Sequence, residues 1–235
     1  STITTLTINN GASLGSGITN DSTITTLTNN QANTNITNNQ NIGTLDIKAN
    51  TTYTGAGSFT NALDIDGAQT QFTISNGAGN NGTLTLAENA NTANSVKTIT
   101  NEGTIIGNLI NTLTTNWIGG TLEGNFTNNS NATLQSLSKD GNAGTITGNL
   151  INAGSIVSLT QGTIGTSLDN QAKGIIDTLH SSVVGNLSNA GVVKDFIVDR
   201  NMDYTGNGSI TNSMTILNNG GNGYTLNIGN SPNNG

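Results

Sequence analysis

The sequence of 235 residues contains no cysteine, one proline and only 3% aromatic residues. Without cysteine the chain has neither disulfides nor thiolate ligands, so its stability must come from a packed core alone. His180 is the sole histidine, so a histidine-based metal site would depend on carboxylates for its other ligands. We therefore expect no metal and no cofactor.

Charge is also scarce. Only 8% of the residues are charged, the six Lys and Arg are scattered, and the net charge is −7. Such a chain has no basic stripe to neutralise phosphates, so nucleic acid is not an expected partner. No apolar run approaches the length of about 20 residues that a membrane-spanning helix needs. The first residue falls inside a repeat, so we expect residues 1–235 to be a fragment of a longer chain.

The most prominent feature that is present is an asparagine that recurs after a large apolar residue. The clearest copies occupy residues 18–24, 36–42, 99–105, 150–156 and 187–193. The recurring asparagines are at positions 20, 38, 61, 76, 101, 128, 152, 170, 189 and 212. Their mean spacing of roughly 21 residues lies in the range of solenoid repeats. The repeat runs through the whole sequence, so we predict a single domain over residues 1–235.

Apolar residues alternate with Thr, Ser and Asn, as in the pairs Leu84/Leu86 and Leu226/Ile228. This alternation is typical of strands, whereas frequent Thr, Asn and Gly disfavour helices. Short strands and Asn/Gly turns at a fixed period predict an all-β parallel β-helix of about ten coils. The repeat is least regular at residues 110–122 and 195–204, and we expect inserted loops there.

The recurring asparagine is interpreted as a corner residue, because Asn tolerates left-handed backbone dihedrals and stacked Asn side chains can hydrogen-bond to each other. Asn101, Asn152 and Asn189 are the strongest candidates, since a glycine follows each of them by two positions. The complete set of predicted structural asparagines is Asn20, Asn38, Asn101, Asn152, Asn170, Asn189 and Asn212.

The pattern N-x-G-[TSV]-[IV] at residues 101–105, 152–156 and 189–193 resembles the passenger domains of Gram-negative autotransporter adhesins. This resemblance implies a right-handed parallel β-helix that is exported through the outer membrane and displayed outside the cell. It also implies adhesion or self-aggregation as the function. The implied partners are a host-cell surface protein or glycan, or further copies of the same molecule.

An alternative is a β-helix enzyme, a glycan lyase or hydrolase, which needs clustered acids with a basic residue nearby. The only dense candidate contains Lys194, Asp195, Asp199, Arg200 and Asp203. A charged group on an otherwise neutral rod is more often just solvated, and we do not predict an enzyme. Asp64 and Asp66 could share a strand face as calcium ligands, but two carboxylates fall short of the six to eight oxygens that calcium binds.

Two further features leave alternatives open. Asn125 has an acidic residue two positions before it in E-G-N-F-T, which resembles an extended bacterial glycosylation sequence, although so many Asn and Thr residues make chance matches common. T-x-T triplets at residues 23–25, 83–85, 98–100 and 145–147 could form an ice-binding array if all coils had equal length. Unequal repeat spacing disfavours that third function.

Overall fold

The computed structural model describes residues 1–55, 57–75, 82–86, 97–112, 114–139 and 141–229. These residues contain no α-helix, and one 3₁₀ turn, η1, covers Ser181–Val183. Nearly all strands belong to three parallel sheets that stack coil upon coil. The prediction of an all-β parallel solenoid with about ten coils is confirmed.

Sheet A has eleven strands. They are β1 (Thr2–Ile8), β3 (Thr23–Asn29), β5 (Asn41–Ile47), β7 (Ser58–Ile65), β10 (Lys97–Asn101), β13 (Thr114–Ile118), β16 (Thr133–Ser136), β21 (Ser155–Leu159), β24 (Ile175–His180), β26 (Val192–Val198) and β28 (Ser209–Ile216). Sheet B has eight strands. They are β2 (Ile18–Asn20), β4 (Thr34–Asn38), β6 (Thr51–Thr54), β8 (Gln71–Ile74), β11 (Thr104–Ile106), β14 (Thr121–Glu123), β19 (Thr145–Ile146) and β22 (Thr163–Ile164).

Sheet C also has eight strands, and its order along the stack follows the chain. They are β9 (Thr83–Leu86), β12 (Asn108–Asn111), β15 (Phe126–Asn128), β20 (Leu150–Asn152), β23 (Leu168–Asn170), β25 (Asn186–Asn189), β27 (Met202–Thr205) and β31 (Leu226–Gly229). The early coils alternate between sheets A and B, and sheet C enters with β9. The rod therefore changes cross-section along its length.

Coil length is set by the register of sheet A, where most paired residues lie 17 to 22 positions apart. One coil is longer, because Ala62 pairs with Thr98. Neighbouring strands lie about 4.8 Å apart, so ten coils make a rod of about 50 Å.

The core is a narrow column of apolar side chains from all three sheets, most of them aliphatic. In sheet A, Leu27 lies under Leu45 and Leu45 under Leu63, and each is at most 2% exposed. Strand alternation places one side chain inside and the next outside, which explains how 32% apolar residues can fill the interior.

The insertions are not where the sequence pattern predicts them. Residues 110–122 contain regular strands from sheets A, B and C, so the expected loop there is wrong. Residues 195–204 are likewise mostly strand. The extra residues instead form two antiparallel hairpins, β17 (Ser138–Lys139) with β18 (Asn142–Ala143) and β29 (Asn218–Asn219) with β30 (Asn222–Gly223).

Candidate functional site

Buried asparagines occupy the corner at which the chain enters sheet A. Each ends a strand of sheet B or sheet C, and each is at most 3% exposed. They form two ladders, which we call the short ladder (Asn20, Asn38) and the long ladder (Asn111, Asn128, Asn152, Asn170, Asn189).

Each ladder is a chain of side-chain hydrogen bonds that runs towards the carboxyl end of the protein. Asn152 Nδ2 donates to Asn170 Oδ1 at 2.8 Å, and Asn170 Nδ2 donates to Asn189 Oδ1 at 2.7 Å. The second hydrogen of Asn152 Nδ2 is directed at the carbonyl oxygen of Ile175, the first residue of β24, at 3.2 Å. The side chains thus satisfy one another and also fix the start of the next strand in sheet A.

A tyrosine hydroxyl terminates each ladder. Asn38 Nδ2 donates to Tyr53 Oη at 3.1 Å, and Asn189 Nδ2 donates to Tyr204 Oη at 2.9 Å. Burial raises the pKa of Tyr53 to about 12, although the hydrogen bond from Asn38 acts in the opposite direction. Both phenols lie in the core. Each ladder therefore ends on a tyrosine hydroxyl, and its last asparagine does not require another asparagine from the following coil.

The other predicted asparagines lie elsewhere. Asn101 is fully buried at the opposite corner, where the chain leaves sheet A, and its Oδ1 accepts a hydrogen bond from the Gly103 amide at 3.1 Å. Asn212 was predicted to be a corner residue, but this prediction is wrong because it lies within β28 and is exposed. Asn61 is also exposed within β7, and Asn76 lies outside the described residues.

Sequence reasoning missed Asn111 of the long ladder and Asn29, which is buried at the same corner as Asn101. Asn128 of the long ladder was among the recurring asparagines but not in the predicted structural set. The signal for Asn111 was available, because L-I-N at residues 109–111 repeats L-I-N at residues 150–152. The proposed left-handed backbone is also incorrect, since Asn33 is the only described residue other than glycine with positive φ. The glycines two positions after these asparagines are needed for a different reason, because the backbone of the neighbouring coil approaches them closely. A Cβ on Gly154 would overlap the carbonyl oxygen of Asn129.

The five residues of the charged candidate do not converge on one point. Lys194 pairs with Asp177 at 2.7 Å, whereas Asp195 accepts hydrogen bonds from Asn212 and Ser213. Asp203 accepts one from Asn227. These contacts link neighbouring coils on the exposed surface, and none of them joins two of the five candidate residues.

Asp199 differs, because its carboxylate holds the η1 turn. It accepts the Ser182 amide at 2.7 Å and the Ser181 hydroxyl at 3.1 Å, and it contacts His180 Nδ1 at 2.8 Å. Burial opposes ionisation, but the hydrogen bonds from Ser182, His180 and Ser181 outweigh it and lower the pKa of Asp199. Both serine hydroxyls bond to the carboxylate, so the group differs from a nucleophilic triad, in which the histidine activates the serine.

Asp64 and Asp66, the two candidate calcium ligands, lie close to a lysine. Lys48 Nζ lies 2.6 Å from Asp66 and 3.4 Å from Asp46, which pairs with Asp64 across the strands. Burial raises the pKa of Asp64, and the neighbouring carboxylates act in the same direction. In the parts of the chain that the structure describes, no group of three or more His, Asp or Glu residues is placed to hold a metal ion.

Asn125 is half-buried, and its side chain takes part in a third set of contacts between coils. Its Oδ1 accepts the Asn149 amide at 2.8 Å, and its own amide donates to Asn108 Oδ1 at 2.9 Å. Glycosylation of Asn125 Nδ2 stays a prediction.

The outer faces carry columns of threonine in register. In sheet B, Thr104 pairs with Thr121, Thr121 with Thr145 and Thr145 with Thr163. In sheet A, Thr5 pairs with Thr26 and Thr26 with Thr44. The T-x-T triplets, in contrast, are distributed over sheets A, B and C, so they share no single flat face.

No family model, no curated protein and no solved structure matches this chain. Among the described residues, no helix has the length and apolar character required to cross a membrane.

Proposed function

We propose that this chain is an adhesive rod of the autotransporter passenger type, displayed on the bacterial cell surface. The observation that carries the proposal is the set of polar columns on the outside of a rigid solenoid. Hydroxyl and carboxamide groups repeated at about 4.8 Å can make many weak hydrogen bonds in register, each contributing about 1 kcal/mol.

The chemistry of the faces favours a ligand rich in hydroxyl or amide groups. Thr104, Thr121 and Thr145 are half-buried and Thr163 is exposed, so their hydroxyls lie on an open strip, which the exposed Glu123 borders in β14. A host-cell glycan or surface protein presents matching donors and acceptors, and so does another copy of the rod. Binding of this kind is distributed and does not depend on one acid or base.

The test compares two faces with equal added charge. One variant replaces Thr121, Thr145 and Thr163 of sheet B with Lys, and the matched variant replaces Thr127, Ser188 and Thr205 of sheet C with Lys. We expect labelled wild-type protein to bind host cells or a glycan array, and the sheet B variant to lose at least tenfold more affinity than the sheet C variant.

Equal loss in both variants would mean that charge alone weakens binding, and that no face is specific. Absence of wild-type binding to cells, glycans and itself would overturn the proposal. Release of new reducing ends from a polysaccharide would support the glycan-acting enzyme instead.

A further inference from the structure

A cleft lies at the corner where the chain leaves sheet A, between this corner and the hairpin formed by β17 and β18. Its volume is about 380 Å³, within the range of about 300–1,000 Å³ that is usual for small-molecule sites. Three successive coils contribute Ala68, residues 100–102 and residues 119–120, and the hairpin contributes residues 141–143. The cleft is therefore built by interior coils of the rod.

The hairpin is anchored at its base and folds back over the preceding coil. Leu137, which precedes it, is fully buried, and the Gly144 amide donates to the carbonyl oxygen of Leu137 at 2.7 Å. A Cβ added to Gly119 would lie 2.9 Å from the carbonyl oxygen of Asn101 and 3.7 Å from the Cβ of Asn142. A side chain at position 119 would thus enter the space between the corner and the hairpin, and glycine leaves this space open.

Glu102 has the only ionisable side chain among the residues that line the cleft. One of its carboxylate oxygens accepts a hydrogen bond from the Gly67 amide at 3.3 Å, which orients the side chain along the corner. In the described part of the chain, Glu102 forms no ion pair. A carboxylate has about four acceptor positions, so most of those on Glu102 can accept hydrogen bonds from a ligand.

The remaining lining groups are uncharged and mostly polar. They include the exposed Asn142 and the backbone of Gly119 and Gly120, whereas the only apolar side chains are those of Ala68 and Ala143. A lipophilic ligand would find little apolar surface here, and an anion would find no cationic partner. Sugar hydroxyls both donate and accept hydrogen bonds, so a neutral saccharide matches these groups.

The cleft adjoins the threonine strip of sheet B, which is formed by Thr104, Thr121, Thr145 and Thr163. The strands β11, β14 and β19 begin one or two residues after lining residues of the cleft. Their first residues are the first three threonines of the strip, paired in register. A glycan that lies on the strip therefore reaches the cleft at the amino ends of these strands.

We propose that the cleft binds one neutral sugar unit of a glycan whose remainder lies on the threonine strip. The inference rests on the proposed function and adds selectivity to it. Glu102 and Asn142 bind hydroxyl groups of the sugar. Glu102 also excludes acidic sugars, because a second carboxylate beside it is an unfavourable contact between like charges. The strip supplies distributed affinity, and the cleft selects the sugar.

The first experiment isolates the cleft with ligands that are too short to cover the strip. Lactose and N,N′-diacetylchitobiose are the neutral probes, and sialyllactose is the acidic one. In NMR spectra of the isotope-labelled chain, we expect at least one neutral probe to shift the backbone amides of residues 100–102, 119–120 and 141–143. The neutral probe that binds best should bind about tenfold or more tightly than sialyllactose.

Glu102→Gln is the decisive variant, because glutamine keeps the size of the side chain and an acceptor for the Gly67 amide. We expect it to weaken binding of the neutral probe about tenfold and to remove the discrimination against sialyllactose. Glu123→Gln is the matched control, since Glu123 is exposed in β14 and does not line the cleft. It should bind the probes as the wild-type protein does, and thermal melting establishes that both variants are folded.

Three results would each overturn the proposal: no shift of the cleft amides with either neutral probe, equal binding of neutral and acidic probes by the wild-type protein, or unchanged binding by Glu102→Gln. Binding of acetyl-lysinamide in place of the neutral probes would also overturn it, and would assign the cleft to a basic side chain of a protein partner. The adhesive function fails separately. A chain that binds a neutral probe in the cleft, but binds neither cells nor a glycan array nor itself, would refute adhesion and leave the sugar site standing.

Discussion

A carboxamide suits the interior ladder because it carries two donors and an acceptor on a short side chain. In the long ladder, Asn128 donates to Asn152 Oδ1 at 2.8 Å and to the carbonyl oxygen of Ser155 at 2.9 Å. A serine lacks the second donor, and an aspartate would place an unpaired charge in the core. The choice of asparagine therefore follows from hydrogen bonding, and the backbone conformation does not require it.

Loss of one ladder side chain should be costly. Asn152→Ala removes the donor to Asn170 and the acceptor for Asn128, leaving buried polar atoms without partners. We expect the free energy of unfolding to fall by about 2–4 kcal/mol in urea denaturation. The control is Asn61→Ala, because Asn61 belongs to the same sequence repeat but is exposed. Equal losses in the two variants would mean that the ladder adds no stability.

The raised pKa of Tyr53 leads us to predict that the protein loses stability in alkali. Its folded pKa is raised to about 12, above the value of about 10 in an unfolded chain. The folded state therefore holds the phenol proton more tightly, and this contribution is complete below pH 10 and is lost as the pH rises towards 12.

Alkaline titration of tyrosinate absorbance should show a late-ionising component that Tyr53→Phe removes. The stability of Tyr53→Phe should also fall less steeply between pH 10 and 12 than that of the wild-type protein. Ionisation of Tyr53 near pH 10 in the folded protein would contradict this prediction.

Among the elements, η1 depends on a single carboxylate. Asp199 bonds to Ser181, Ser182 and His180, and replacing it with Ala should loosen the turn between β24 and β25. Because its folded pKa is lowered, the stabilisation is present above the unfolded value of about 3.9 and is lost as the pH falls through the folded value.

We expect the wild-type protein to lose stability below about pH 4 more steeply than Asp199→Asn, measured by thermal melting across pH. Asp203→Asn is the control. In the described part of the chain, the side chain of Asp203 accepts a hydrogen bond from Asn227 and does not hold a turn. A pH profile for Asp199→Asn identical to that of the wild-type protein would exclude Asp199 as the source.

The strands were predictable from sequence, but the face of each residue was not always predictable. Leu84 and Ile156 alternate with polar residues and are buried as the alternation indicates. Asn61 and Asn212 fit the repeat spacing, yet each lies beside the register shift of its strand. One extra residue exchanges inside for outside, so spacing alone could not distinguish them from ladder asparagines. Within the charged candidate, the role of Asp199 was less predictable. Its contacts join residues from two coils, and the sequence alone does not show which residues meet.

For the whole molecule, stability depends on contacts between neighbouring coils, as in other solenoids. Ile156 tests this dependence, because it is fully buried in β21, an interior strand of sheet A, between Leu134 and Ile176. Ile156→Asp would bury a carboxylate without a basic partner and should cost more than about 4 kcal/mol. Val157, the next residue, is 37% exposed, so Val157→Asp is the matched control and should cost less than about 1 kcal/mol.

The manner of unfolding should change as well as its midpoint. An interior coil that no longer packs uncouples the coils up to β16 from those that begin with β24, because in a solenoid each coil contacts only its neighbours. We therefore expect a single cooperative transition by circular dichroism for the wild-type protein and Val157→Asp, and two transitions for Ile156→Asp. Hydrogen exchange should then show that the two sides of Ile156 open independently. A single unshifted transition in Ile156→Asp would place this side chain outside the core and would contradict the stacking of β21 between β16 and β24.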